Sequence, residues 1–319
     1  MPLTPEQERL GRIFFGHSWE CRDSVFSRKI RFVHYTNAAA AMNMLRKHEV
    51  WMRNSSAMND FMEVQHGLSC LLASYNQRES GKKFKAILNG VFDEIITEIE
   101  QSFNGWMHDF LTNTFLVCVS EHEDFEDNFG RLSMWRAYSQ SSGVAIVLNT
   151  APFFSQSDAL KAYTSPVAYL GDQDFEHEFD RLADRILNER DFIKAQSRQV
   201  IVNVVFHVLR FAAICTKHPG FREEKEWRLV YSPGVLESTH LKKEVEIING
   251  VPQPIYKISL QDIPTEGLMG IEIPSLINRI IIGPTQYPVV LYDAFCDLLR
   301  QAGVNEPQGR VVISSIPLR

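Results

Sequence analysis

The sequence predicts an α+β fold: a mixed, mainly antiparallel sheet with helical insertions. Three observations lead there. Strand-like and helix-like segments are interspersed without the regular β-α alternation of a doubly wound parallel sheet. No fixed-period repeat, low-complexity tract or Gly/Ser linker divides the chain. At 319 residues, 45% hydrophobic and 23% charged, the chain can bury a large core, and it is read as a single globular domain over residues 1–319.

Taken in order, residues 4–16 have helical spacing and start an N-terminal arm over 1–30. RFVHYT at 31–36 has strand composition, and Thr36 or Asn37 can cap the following helix, AAAAMNMLRKH. Trp51–Arg53 is a short strand and NSSAMND at 54–60 a loop. Residues 61–75 and 83–111 are helical, and TFLVCVS at 114–120 is a buried strand by its apolar run. An acidic loop, EHEDFEDNFG, leads to a short helix at 131–139 and a strand at 143–149. A strand at 162–170 and long helices over 173–191 and 193–216 follow. FREEKEWRLVYS opens a second β-rich part, with strands near 242–248, 253–259 and 278–282, a helix at 286–303 and a last strand at 310–315.

The formal net charge of −6 argues against a protein that coats nucleic acid nonspecifically, but leaves room for a local basic groove. Five scattered cysteines without a C-x-x-C argue against a disulfide framework or a zinc knuckle and fit a reducing cytoplasm. The N-terminus lacks the basic start and long apolar run of a signal peptide. The most apolar stretch, 200–215, is interrupted by Asn203, His207 and Arg210 and reads as a buried helix, so no membrane partner is expected. Phosphate-loop, dinucleotide-binding, zinc-protease and hydrolase-elbow motifs are all missing.

The densest chemistry is FREEKEWRLVY at 221–231. Strand alternation puts Glu224, Glu226 and Arg228 on one face and Trp227, Leu229 and Tyr231 on the other. Two carboxylates and a guanidinium starting a buried strand form either an internal ion-pair cluster or part of a site, and the spacing alone supports both. Elsewhere, His34-Tyr35 offers an imidazole and a phenol, or simply a satisfied core histidine and a half-buried tyrosine. Asn59-Asp60 with Glu63 reads first as a helix cap, with a weak metal alternative through His66. Trp135 and Tyr138 share a helix face, as core or as an aromatic shelf.

In this order, FVHYTNAAAAMNML, WMRNSSAMNDFMEVQHG, FLVCVSEHEDFEDNFGRLSMWRAYSQSSGVAIVLN and KHPGFREEKEWRLVY resemble a bacterial family catalogued as domain of unknown function 2971. The resemblance rests on five blocks: His-Tyr, Asn-Asp-x-x-Glu, Cys-x-Ser, Trp-x-x-Tyr and Glu-x-Glu-x-Arg. It covers about 31–232, leaving 233–319 to complete the core. That family is similar, distantly, to ADP-ribosyltransferases with a His-Tyr-Glu triad. The resemblance implies an ADP-ribosyltransferase-like core with NAD as substrate and no metal. It implies that His34 touches the adenosine ribose, that Tyr138 (or Tyr35) stacks on nicotinamide, and that Glu226, ahead of Glu224, holds the nicotinamide ribose 2′-hydroxyl. Thr36, Trp135 and Asn59 would complete the NAD site, and Arg228, Arg136 or Arg53 would neutralise the pyrophosphate.

Such chemistry needs little acid–base machinery: a neutral nicotinamide leaves, and a carboxylate beside the sugar stabilises the developing positive charge. The expected protein is a bacterial toxin or phage-defence effector with a protein or nucleic-acid acceptor and a cognate antitoxin. The alternatives are an NAD glycohydrolase using the same residues and a noncatalytic binding or regulatory protein. A nuclease-like role for Asp60, Glu63 and Glu226 is disfavoured by poor ligand spacing.

Overall fold

A computed structural model describes residues 3–57, 61–139 and 142–317. Helices α1 (Pro5–Phe14) and α2 (Gly16–Ser27) precede strand β1 (Arg31–Asn37), helix α3 (Ala38–Lys47) and strand β2 (Glu49–Asn54). Three helices follow, α4 (Phe61–Gln77), α5 (Glu79–Val91) and α6 (Ile95–Thr112), and then β3 (Phe115–His122), α7 (Leu132–Tyr138) and β4 (Gly143–Leu148). Strands β5 (Tyr163–Pro166) and β6 (Ala168–Tyr169) lead into α8 (Asp172–Asn188), α9 (Arg190–Lys194), α10 (Arg198–Ile214) and β7 (Thr216–Lys217). The chain ends with β8 (Glu226–Tyr231), β9 (Leu241–Ile248), β10 (Val251–Ser259), α11 (Ile273–Leu276), β11 (Ile277–Ile282), α12 (Pro288–Gln301) and β12 (Val311–Ile313).

The architecture is α+β. Ten strands form one sheet, ordered β12-β11-β4-β1-β3-β2-β10-β9, with β8 on β3 and β5 on β8. Every pairing in it is antiparallel except β11 with β12. The short β6 and β7 pair in parallel apart from it.

Local signals set the element ends. The Thr4 side chain caps α1 in a reciprocal box with Gln7, and Pro5 starts the first turn. Asn37, of the two expected caps, accepts from the Ala40 amide, and His48 closes α3 in the left-handed conformation. Three expected elements are divided. The helix over 4–16 ends at Phe14, and a second helix runs on to Ser27. The helix over 83–111 breaks at 92–94, where Glu94 is left-handed. The strand over 162–170 splits between two sheets after Pro166.

Cross-strand partners share a face, so the registers sort the central residues. His34 opposes Ile146, Tyr35 opposes Ala145, Ser120 opposes Glu226 and Val119 opposes Trp227. One face therefore carries His34, Ile146, Val119, Trp227 and Leu229. The other carries Tyr35, Ala145, Cys118, Ser120, Glu226 and Arg228. The strand β3 is also where the sheet forks: β1 pairs with it only at Ser120–His122, and β2 only at Phe115–Leu116. Among the described residues, no helix is long and apolar enough to cross a membrane.

Candidate functional site

On the second face, a turn and a strand start assemble a compact charge cluster. Pro219–Glu224 form a 3-10 turn, Lys225 is left-handed, and β8 begins at Glu226. Glu224 thus lies on the turn rather than in the strand. The Lys217 ammonium, at the end of β7, donates to Glu224 Oε2 at 2.6 Å and to Glu226 Oε2 at 2.8 Å. Arg228 Nε donates to Glu226 Oε1 at 2.8 Å, and its Nη1 donates to the Ile214 carbonyl. The Glu226 amide donates to the Tyr169 hydroxyl at 2.8 Å, fixing the strand start.

Side-chain exposure is 17% for Glu224, 5% for Glu226, 1% for Lys217 and 0% for Arg228. Glu224 is the carboxylate of this cluster within easiest reach of a ligand. Burial alone would push the Glu226 carboxyl up. The Arg228 guanidinium and Lys217 ammonium outweigh it, with a further hydrogen bond from Cys118, and hold it down at about 2. Arg228, conversely, is raised by Glu226 against the lowering effect of burial.

The turn is tied to α7. Arg131 Nη1 donates to the Glu223 and Glu224 carbonyls at 2.8 and 3.2 Å, while its Nε reaches Glu126 at 3.0 Å. Its amide donates to the Tyr35 hydroxyl at 2.8 Å. Trp135 is buried, edge-on to Tyr35 at 4.9 Å, with its indole N–H on the Phe129 carbonyl at 2.7 Å. Both rings are therefore packed into the core. On the same helix Arg136 and Tyr138 are exposed. The α7 helix thus presents a cation and a phenol to solvent from an aromatic anchor.

His34 lies apart. Where a cleft shared with Glu226 was expected, the two sit on opposite faces of the sheet. His34 occupies the fork at β3, with Nδ1–H donating to the Cys118 carbonyl at 2.9 Å. A carbonyl can only accept, so the proton sits on Nδ1 and Nε2 keeps its lone pair. Burial lowers the His34 pKa and favours the neutral ring. Its ring helps line a cavity of about 980 Å³, whose sheet wall is made by Val117, Val119, Ile146, Trp227 and Leu229. Phe15, Trp19 and Arg22 of the N-terminal segment, Phe153 and Phe154, and Val204, His207 and Phe211 of α10 close it.

Of the remaining expected residues, Thr36 is half-buried at the end of β1. Arg53 donates to the Ala57 carbonyl at 2.9 Å and to Gln253 at 3.3 Å. Asn59 and Asp60 lie outside the described residues, as does the Glu63 side chain. His66 Nε2–H donates to the Leu170 carbonyl at 2.9 Å. Among the described residues, no three His, Cys, Asp or Glu side chains gather to hold a metal. Sequence reasoning gave no role to Lys217, His207 or Arg210. The available signals were a lysine just before the FREEKE turn and two polar side chains three apart in an apolar helix.

The molecule is thus an α+β protein with a buried carboxylate–cation cluster on one face of its sheet and a large, mostly apolar cavity that runs from the other face past strand β5 to α10. Residues 134–229 match the model of a family described as "Protein of unknown function (DUF2971)", the family that the ordered sequence blocks resemble. The matched stretch contains the Trp135–Tyr138 helix and the Glu224–Arg228 turn and strand, while the blocks around His34, Asn59 and Cys118 fall outside it. No curated protein and no solved structure matches the chain.

Proposed function

We propose that the protein is an NAD-consuming ADP-ribosyltransferase whose reactive carboxylates are Glu224 and Glu226. One observation carries the reading: a carboxylate pair, Glu226 held ionised, stands at a strand start between Lys217 and Arg228, joined through Arg131 to the helix that bears Arg136 and Tyr138. Glu224, the more exposed, accepts from the nicotinamide ribose 2′-hydroxyl, and Glu226 positions it by sharing the Lys217 ammonium. Tyr138 stacks on nicotinamide and Arg136 meets the pyrophosphate. The bond from ribose C1′ to the nicotinamide nitrogen breaks, and its electron pair leaves with neutral nicotinamide. A nucleophile of a protein or nucleic-acid acceptor attacks C1′ and releases its proton to solvent. The carboxylate stabilises the cationic sugar between the two events. In this reading the protein is a bacterial toxin or phage-defence effector, with a cognate antitoxin as its natural restraint.

A second reading, a noncatalytic binding protein, is favoured by a different observation. Both Glu226 oxygens are already bonded and the side chain is 5% exposed, so the cluster is also complete as architecture. Incubation with NAD labelled in its ADP-ribose half, with protein, DNA and RNA acceptors, separates the readings. Label transfer by wild type that is lost in Glu224→Gln supports the transferase. Nicotinamide release without transfer identifies an NAD glycohydrolase using the same carboxylates. If wild type neither binds nor consumes NAD, the proposal is refuted.

A further inference from the structure

Arg210 is the least expected side chain in the molecule. It sits in the apolar helix α10 at 2% exposure. Its Nη2 donates to Ser232 Oγ at 2.9 Å and its Nη1 to His207 Nδ1 at 3.4 Å, while its Nε is buried without a partner. Among the described residues no carboxylate forms an ion pair with it. Asp109, Tyr163 and the Cys215 thiol lie near enough to affect its charge, but burial dominates and lowers its pKa to about 10, so it remains a cation at neutral pH. A buried guanidinium without a directly paired anion is costly to keep.

His207 connects this cation to the cavity. It is one of the cavity's lining residues, with Phe211 of the same helix and Tyr163 of β5. Because Nδ1 accepts from Arg210, the neutral ring carries its proton on Nε2. That N–H has no protein partner among the described residues. It is a hydrogen-bond donor on the cavity wall, polarised from behind by a buried positive charge. The walls around it are chiefly Val, Ile, Leu, Phe and Trp. A volume near 980 Å³ is at the upper end for small-molecule sites, room for a long or polycyclic apolar body.

We propose that this cavity binds an amphipathic carboxylic acid, its apolar body along the sheet wall and its carboxylate accepting from His207 Nε2–H in the field of Arg210. The inference does not rest on the NAD reading, although α10 packs on the face of the sheet that carries Glu226: Arg210 reaches Ser232, and Arg228 reaches the Ile214 carbonyl. A neutral alcohol of the same length fills the same walls but brings no charge, so the cation–anion attraction is read as selectivity between the two.

The test is direct binding of palmitate and of hexadecanol to the full chain, by calorimetry or displacement of a fluorescent fatty acid. Wild type should bind palmitate at least about tenfold more tightly than hexadecanol. Arg210→Met replaces the buried cation with an apolar side chain of similar length, and Ser232 Oγ keeps Thr114 as a partner. It should keep hexadecanol binding and lose the preference for the acid. Leu229→Trp, which places a larger ring in the wall, should weaken both ligands together. Failure of wild type to bind palmitate overturns the proposal. So does an unchanged preference in Arg210→Met, or unchanged binding in folded Leu229→Trp. NAD turnover measured on the same samples reports separately on the Glu224–Glu226 cluster.

Discussion

Replacing Glu226 with glutamine isolates the electrostatics of the charge cluster with little change of shape. In the native chain Glu226 accepts from both Lys217 and Arg228, themselves 1% and 0% exposed. Removing one member of a buried charge pair leaves its cations under-compensated and costs about 3–5 kcal/mol. The pKa gives a similar figure. A carboxyl held at about 2 against an ordinary 4.5 is worth roughly 3 kcal/mol, at about 1.4 kcal/mol per tenfold. With an unfolding entropy of ~2.1 cal/mol/K per residue over 319 residues, each kcal/mol moves the midpoint by about 1.5 °C, so Tm should fall by roughly 5 °C.

The sign with pH follows. The folded pKa is depressed, so the stabilisation is fully present above about 4.5 and is lost as pH falls towards about 2, where wild-type Glu226 also takes a proton. Chemical denaturation of wild type and Glu226→Gln between neutral pH and pH 3 reads both effects. The gap should be largest near neutrality and narrow below about pH 4.5. A gap under about 1 kcal/mol at neutral pH, or one that does not change with pH, would refute the reasoning. Because this variant loses stability whatever the enzymology, Glu224→Gln is the cleaner probe of catalysis.

Three further outcomes are expected. His34→Leu removes the donor to the Cys118 carbonyl at the sheet fork and should cost about 1–3 kcal/mol in urea unfolding, partly recovered by His34→Gln; a leucine variant as stable as wild type would exclude that role. The His207 ring should titrate by NMR near 4, because burial first and then Arg210 disfavour its charge; its contribution to stability is lost as pH falls from 6.5 through that value, and a titration near 6.5 would show the ring to be solvated. Gly283→Ala would place a methyl 2.9 Å from the Trp135 ring and 3.1 Å from the Gly143 carbonyl, so it should destabilise by about 1–3 kcal/mol, and a neutral effect would mean that Trp135 is less tightly packed.

Local pattern made much of this molecule legible. The α+β class, the strands at 31–37 and 115–122 and the long α10 helix follow from apolar runs and periodicity. Asn37 was one of two expected caps. Gly16 and Pro166 stand beside the divisions at Phe15 and Val167, but the apolar runs continue across both, and the break at 92–94 carries neither residue type. A left-handed glutamate and a strand shared between two sheets are choices made by packing. Among site residues, Glu224 and Glu226 stood out as charges entering an apolar strand. Lys217, which holds them together, ends a two-residue strand just after a helix and carries no local signal of its own.

By itself the sequence determined that Glu226 and Arg228 face away from Trp227 and Leu229, because alternation along one strand is a property of the backbone. It determined too that α10 is an apolar helix carrying His207 and Arg210. Only the tertiary structure decided which of these faces meets which. The face of one strand relative to another depends on register, where a slip of one residue exchanges the two sides. That register puts His34 with Trp227 at the cavity and Glu226 with Cys118 on the opposite face. Packing of α10 against Ser232, just past β8, buries Arg210 behind His207 and turns an interruption in an apolar helix into the charge behind a cavity wall.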